Sequence, residues 1–390
     1  MTEAFEIKRP NLSIVMPCLN EAETIGDCID NAKKFLDRRN INGEIIVADN
    51  GSSDGSQQIA LEKGAWVVPV EERGYGAALI GGIKAAKSNF IIIGDSDGSH
   101  DLENLDLFYD KLQEGYDLVV GNRFSGGIEK KAMSFLHRYI GNPILSAIGR
   151  VFFKSKVRDF HCGLRGFTKE AFRKMNLRTT GMEFASEMIV KATLNNLKIT
   201  EVPTKMLPSG RSREPHLRTF RDGWRHLRFL LLFSPRWLFL YPGIAMIIIG
   251  IIINIALLPG SQFNLDIHTM LYGAALVIIG TQGVSFAILT KVFAVQEKLL
   301  PEHKRLNKLL RYATLENGLI FGAFIFLLGF LGVIFSLFLL GRGYFSYLNI
   351  SQTMRVVIIS TTLIIVSFQV IFFSFFYSIL KLKFRNGNTD

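Results

Sequence analysis

Cysteine is scarce in this chain. There are three in 390 residues, Cys18, Cys28 and Cys162, an odd number without paired metal-ligand spacing. That argues against a disulfide framework and for a reducing compartment around the soluble part. The segment from Met1 to Pro10 has no apolar core, so no signal peptide is expected. Charge is missing from long stretches of the last third: no Asp, Glu, Lys or Arg occurs between Trp237 and Leu265. The formal net charge is nevertheless +11, so the basic residues are concentrated elsewhere.

A helix needs ~20 apolar residues to cross a bilayer. Four stretches meet that requirement: 238–258, 269–290, 319–340 and 356–380. With so little polar surface to show water, they read as membrane spans rather than core helices. Loop charge sets their orientation. Between the second and third spans lie Lys291, Lys298, Lys304, Arg305, Lys308 and Arg311, and after the fourth lie Lys381, Lys383 and Arg385. The loop from Pro259 to His268 has no Lys or Arg, and that from Gly341 to Arg355 has two at its edges. A multi-pass membrane protein is expected, with two hairpins and with the N-terminal domain and both termini in the cytoplasm. In a prokaryote the membrane would be the plasma membrane.

The expected organisation is a soluble domain over 1–205, a basic juxtamembrane region over 206–236 and a transmembrane domain over 237–390. In the middle region Leu217, Phe220, Trp224, Leu227 and Leu231 share one helical face, and Arg218, Arg221, Arg225 and Arg228 run beside them. That pattern suits a helix lying in the membrane interface with arginines at lipid phosphates. A charged helix docked on its own domain is the alternative. Because much of the positive charge is juxtamembrane, no nucleic-acid partner is expected.

Residues 11 to about 205 alternate short apolar strands with helices. The strands read as 12–16, 44–48, 66–69 and 90–94, and the helices as 21–38, 56–63 and 76–86. Continuous apolar strands separated by helices imply an α/β domain with a parallel sheet covered on both faces. Ligands bind such sheets at the carboxyl ends of the strands. Here those ends carry Pro17 to Glu21, Asp49 to Asp54 and Asp95 to Asp97. Asp95-Ser96-Asp97 leaves a buried strand directly, so both carboxylates can turn to one point, and hard oxygen ligands select Mg²⁺ or Mn²⁺. The run from Asp49 to Gly55 is either a turn closing into a helix cap or a rim for a base and ribose. Gly74-Tyr75-Gly76 reads as a turn before a helix. Asp159 is a candidate for the reaction centre, and Arg165 for phosphate.

Taken in order, Pro17-Cys18-Leu19-Asn20-Glu21, Ala48 to Gly55, Asp95-Ser96-Asp97 and Gly121-Asn122-Arg123-Phe124 resemble glycosyltransferase family 2. The nearest branch in appearance is that of the dolichyl-phosphate mannose synthases and polyprenyl-phosphate glucosyltransferases. Gly210-Arg211-Ser212-Arg213 looks like that branch's Gly-x-Ser-Lys element, with Arg213 in place of the lysine. The resemblance covers roughly residues 11 to 235, and the tail is similar to bacterial members with two membrane hairpins. It implies a GT-A-like Rossmann-type domain followed by the four spans. It further implies inverting transfer of a hexose from UDP-glucose or GDP-mannose to polyprenyl or dolichyl phosphate, and it leaves room for a homo-oligomer.

Position by position, the resemblance implies that Pro17, Leu19 and Glu21 line the nucleotide pocket and that Asn50, with Asp49 beside it, faces the base. Asp95 and Asp97 would hold the metal and diphosphate, with Ser96 nearby. Arg123 and Arg213 would grip phosphate; Arg165 and Arg211 complete the candidate binding set. Asp97, Arg123 and Asp159 form the candidate catalytic set, Asp159 acting as a base or as the residue that orients an arginine. Where the family commonly has Asp-Asp-Gly-Ser, this chain has Asp49-Asn50-Gly51-Ser52. A processive polysaccharide synthase would carry Gln-x-x-Arg-Trp; here Arg236-Trp237 is present, but Phe233 stands at the Gln position. A non-catalytic nucleotide-binding scaffold is the competing class, and the intact Asp95/Asp97 pair argues against it.

Overall fold

The computed structural model of the chain describes residues 9–213, 218–260, 266–297, 299–300, 314–341 and 350–381. Leu217, Lys298, Lys304, Arg305, Lys308, Arg311, Lys383 and Arg385, used above for the interface helix and for orientation, lie outside the described residues. The chain divides into two compact units, Met1–Leu230 and Leu231–Asp390.

The first unit is built on strands β1 (Leu12–Cys18), β2 (Gly43–Asp49), β3 (Trp66–Pro69), β4 (Phe90–Ile93), β5 (Leu118–Asn122), β6 (Arg165–Thr168) and β7 (Ile199–Pro203). They form a seven-stranded sheet in the order β3-β2-β1-β4-β6-β5-β7. Helices α1 (Ile25–Arg38), α2 (Ser56–Glu62), α3 (Tyr75–Ala85) and α4 (Asp106–Gln113) alternate with the strands. After β5 come α5 (Arg123–Gly126) and α6 (Asn142–Phe153), the latter preceded by a π-type turn over His137–Gly141. Helices α7 (Lys169–Met175) and α8 (Phe184–Leu194) lie between β6 and β7, and α9 (Thr219–Leu232) follows. Leu12, Ile14 and Met16 of β1 pack with Ile25, Ile29 and Phe35 of α1 in one buried cluster. Each such side chain contributes roughly 1.5–3 kcal/mol by leaving water.

The expectation of a parallel sheet holds for β1, β2, β3 and β4, which pair in parallel. It fails at β6, which runs antiparallel to both β4 and β5. Arg165-Gly166-Phe167-Thr168 is too short and polar to announce itself as a strand, and composition does not encode its direction. The reversal matters for the site. It brings the entry of β6, and with it the segment 159–164, to the edge where β1, β2 and β4 end.

Helix α9 meets its own unit at His226, which lies against His161 and Ser186, and Asp222, Phe229 and Leu230 are buried as well. Phe220 and Trp224 remain outside at 85% and 59% exposure. One face is therefore committed to the domain, while the aromatic face beside Arg221 and Arg225 stays available.

In the second unit α10 (Tyr241–Leu257), α11 (Ile267–Gln296), α12 (Leu315–Gly341) and α13 (Ile350–Lys381) carry the spans. Among the described residues four helices are long and apolar enough to cross a membrane: Arg236–Leu257, Ile267–Gln296, Leu315–Phe338 and Thr353–Lys381, with mean hydropathy between 1.7 and 2.6. Close helix approach is set by small residues, as association in lipid requires. A Cβ at Gly250 of α10 would lie 2.4 Å from the Gly273 carbonyl oxygen of α11, and one at Gly332 of α12 would lie 2.2 Å from Ser360 Oγ of α13. Arg355 is buried and donates to the Leu257 carbonyl and the Asp266 carboxylate, tying the start of the last span to the first hairpin.

Candidate active site

Parallel pairing aligns the ends of β1, β2 and β4, with Cys18 opposite Asp49 and Val15 opposite Ile93. The two loops that leave β1 and β2 are stitched together. Asn20 N–H donates to Ser52 Oγ at 2.8 Å, Glu21 N–H to Ser56 Oγ at 2.8 Å and Ala22 N–H to Asp54 Oδ2 at 2.9 Å. Asn20 itself takes the left-handed conformation, φ +57°, which asparagine tolerates. Asp49 accepts from Gly51 N–H, Ser52 N–H and Gln57 Nε2, so its carboxylate organises its own turn. Asn50 corrects the expectation of a base contact. Its amide donates to the Val70 and Glu72 carbonyls at 3.0 and 2.8 Å and accepts from Gly74 N–H at 2.7 Å. The side chain is committed to holding the 70–74 segment, which delivers Tyr75.

Asp95 leaves β4 and is met by two residues that the sequence did not single out. Tyr75 donates its hydroxyl at 2.8 Å, and His100 Nε2 lies at 3.1 Å. Burial works to raise the Asp95 pKa, but His100 and Tyr75 outweigh it and hold the carboxyl below the ordinary range. Asp95 is thus an anion with a fixed orientation. Ser96 Oγ donates to the Pro17 carbonyl at 2.6 Å, and Thr24 Oγ1 to the Ser96 carbonyl at 2.7 Å, binding the ends of β1 and β4. Asp97 Oδ1 accepts from Ser99 N–H at 3.0 Å, and Asp97 Oδ2 from Arg211 Nη2 at 2.5 Å.

The donor chemistry fits a hard divalent cation: two carboxylates at one strand exit, of which Asp97 already pairs with a cation, the Arg211 guanidinium. Gly163 leaves room at Asp95, since a Cβ there would sit 2.6 Å from Asp95 Oδ2. Among the described residues no group of three or more His, Cys, Asp or Glu is set to enclose a metal. Remaining ligands would come from substrate phosphates and water, as is usual for Mg²⁺.

Arg211 also donates to Glu21 Oε1 at 2.9 Å, and Arg213 to the Leu19 carbonyl at 2.8 Å, with Glu21 Oε1 at the same distance. Burial raises the Glu21 pKa above the usual carboxylate value, against the pull of the two arginines. Pro17, Leu19, Glu21, Asp95, Ser96, Asp97, Arg211 and Arg213 are therefore brought together.

Arg123 and Asp159 form a second, buried cluster. Arg123 Nε and Nη2 grip the two oxygens of Asp159 at 2.8 Å each, and Arg123 N–H adds a third bond at 3.2 Å. Burial opposes ionisation of Asp159, and Arg123 overrides it, so its pKa lies below normal. With these bonds made, the Asp159 carboxylate fixes the orientation of the Arg123 guanidinium. Glu201, also missed in the sequence, accepts from the N–H groups of Arg158 and Asp159 at 2.8 and 3.0 Å and fixes this loop. Arg165 corrects the expectation of a phosphate contact. It is 1% exposed and donates to the carbonyls of Cys162, Ala185 and Phe160 at 2.8, 2.6 and 2.8 Å. It braces the 160–165 segment from inside.

Next to this cluster the His161 ring packs against His226 of α9, with centroids 4.5 Å apart, and His226 Nδ1 lies 2.9 Å from Ser186 Oγ. Burial depresses both imidazoles, His226 to about 4 and His161 well below 6.5. In the unfolded chain an imidazole takes up its proton near pH 6.5, before the folded chain does. Stability is therefore full above pH 6.5 and declines as pH falls toward 4; His226 alone costs about 2 kcal/mol at pH 5. The thermal midpoint of the full chain is expected to fall between pH 7 and pH 5, and to fall less in His226→Gln. An equal fall in the variant contradicts the assignment.

A further apolar surface went unread in the sequence. Phe135, Tyr139, Ile140, Ile144 and Val151, in and just before α6, are exposed at 44% to 73%. Their helical spacing was the available signal.

Residues 13–175 match the model of the family described as glycosyl transferase family 2, and residues 288–381 match that of the glycosyltransferase family 2 C-terminal transmembrane region. The chain is 38% identical over 289 residues to the low-salt glycan biosynthesis hexosyltransferase Agl6 of Haloferax volcanii, covering 73% of this chain and 69% of that one. Glycosyltransferase AglJ of the same organism is 33% identical over 211 residues, covering 54% and 67%. A dolichyl-phosphate hexose transferase, again from Haloferax volcanii, is 29% identical over 194 residues, covering 50% and 81%.

Proposed function

The chain belongs to glycosyltransferase family 2, with a GT-A-like α/β domain and a multi-pass membrane region, and from that premise we propose that it transfers a hexose from a nucleotide-sugar to a polyprenyl or dolichyl phosphate. The observation that carries the reading is the convergence of Asp95, Asp97, Glu21, Arg211 and Arg213 at one edge of the sheet. The relative named as a dolichyl-phosphate hexose transferase supports the acceptor class.

Asp95 and Asp97 would hold Mg²⁺ or Mn²⁺. When bound, such an ion neutralises charge on the diphosphate leaving group. Tyr75 and His100 keep Asp95 ionised and aimed. Pro17, Leu19 and Glu21 shape the wall on which the nucleotide rests. Arg123, held rigid by Asp159, presents positive charge to a phosphate. An acceptor phosphate monoester is anionic at neutral pH, so its oxygen attacks C1 of the sugar without a strong general base. The bond from C1 to the diphosphate oxygen breaks on the opposite side, and the anomeric configuration inverts. Catalysis then rests on positioning and electrostatics. The exposed aromatics and arginines of α9 would lie at the lipid headgroups on the cytoplasmic face, where an acceptor phosphate sits.

The test is incubation of the purified full chain in lipid nanodiscs with radiolabelled UDP-glucose or GDP-mannose and polyprenyl phosphate. Label is expected in the organic phase with one of the two donors, dependent on Mg²⁺ or Mn²⁺. No labelled lipid with any sugar nucleotide removes the proposal.

A further inference from the structure

The segment from Ser209 to Arg213 does more than supply basic charge near the site; it is strapped across the carboxylates. Gly210 N–H and Ser209 Oγ donate to the Asp97 carbonyl at 3.0 and 3.2 Å. Ser212 donates through both N–H and Oγ to Glu23 at 2.6 Å. Between these anchors the Arg211 guanidinium bridges Glu21 Oε1 and Asp97 Oδ2, with its Nε directed to Ser209 Oγ at 3.0 Å. The side chains of Arg211, Glu21 and Asp97 are 12%, 6% and 13% exposed, so water screens these charges poorly.

A carboxylate oxygen at 2.5 Å from a guanidinium nitrogen is already charge-paired, so a second cation there competes with the guanidinium. A divalent ion on Asp97 would also face the guanidinium at short range, as like charge. Removing Arg211 would strip Asp97 of its guanidinium, whereas Glu21 would keep Arg213 and Asp95 would keep His100.

We propose that Arg211 is a built-in counter-cation that competes with the divalent metal for Asp97, and that the diphosphate of the donor relieves the competition by giving the guanidinium another anion. This rests on the metal site under the proposed function and adds an order to it. Metal alone binds weakly because the strap holds Asp97; metal and nucleoside diphosphate together bind well, because the diphosphate draws Arg211 away and supplies ligands of its own. The strap thereby makes metal loading depend on donor loading, and reciprocity requires that metal tighten nucleotide by the same factor.

The test is titration of Mn²⁺ into the purified full chain, read from the spin-resonance signal of free Mn²⁺, with and without UDP or GDP. Without nucleotide, Arg211→Ala is expected to bind Mn²⁺ about tenfold more tightly than the wild type. Arg211→Lys, which keeps the charge, stays within about threefold of the wild type. Glu23→Gln, which loosens a strap anchor away from the metal, moves affinity in the same direction as Arg211→Ala. Saturating nucleoside diphosphate brings the wild type and Arg211→Ala together. Equal or weaker Mn²⁺ binding by Arg211→Ala overturns the proposal, as does a difference that persists with nucleotide. If Arg211→Ala does not fold, unchanged Mn²⁺ affinity in Glu23→Gln overturns it instead. Asp97→Ala separates the two levels: undiminished Mn²⁺ binding there refutes the metal site itself, whereas its loss there with no gain in Arg211→Ala refutes only the strap.

Discussion

Asp97→Ala is expected to lower the rate of sugar transfer by about 10²–10³-fold, equivalent to the loss of roughly 3–4 kcal/mol of stabilisation on the departing diphosphate. The fold is expected to survive. Asp97 sits in a loop after the strand rather than in the core, and Arg211 keeps Glu21 as a partner. The thermal midpoint should therefore stay close to that of the wild type while kcat collapses. Asp95→Ala should lose activity too, but with a stability cost, because Tyr75 and His100 both lose their acceptor. An Asp97→Ala enzyme that transfers sugar at more than a third of the wild-type rate would remove this carboxylate from the mechanism.

The second large effect is on stability. In Asp159→Ala the Arg123 guanidinium, 8% exposed, is left buried without its bidentate partner. Breaking a buried pair from one side costs about 3–5 kcal/mol, which corresponds to a drop of about 10 °C in the thermal midpoint of a domain this size. Removing both charges is a different matter. Asp159→Ala with Arg123→Met leaves no orphaned ion, and much of the lost stability should return. Transfer should not return, because Arg123 itself is gone. Recovered folding in the double variant identifies the orphaned Arg123 charge as the source of the lost stability. A stable Asp159→Ala single variant would contradict the buried pair.

What the sequence made legible was local. Apolar runs gave β1 through β4 and the spans, and each strand exit marked its own polar residues. Asp95 and Asp97 were readable for that reason: their neighbourhood is set by the four residues before them. Side-chain partners were not readable, because the fold brings them together, from five residues away for His100 and Asp95 or from much farther. Arg211 meets Asp97 across 114 residues, and Tyr75 meets Asp95 across 20. The fold likewise separated Arg165, taken by three interior carbonyls, from Arg213, which reached the site. The direction of β6 is likewise a property of the sheet it joins. Yet that reversal brings Asp159 to the edge where β5 delivers Arg123. On α9 the arginines and Phe220 and Trp224 were legible as two stripes, whereas the docked face was hidden because it includes the polar Asp222 and His226.

In the proposed reaction a sugar passes to a lipid-borne phosphate and leaves its entire diphosphate on the nucleotide. Mass spectrometry of the lipid product, with chromatography of the released nucleotide, measures this most directly. The expected product is a hexose joined to the lipid through a single phosphate, with one nucleoside diphosphate released per sugar transferred. A lipid product bearing two phosphates, with a nucleoside monophosphate released, would contradict it.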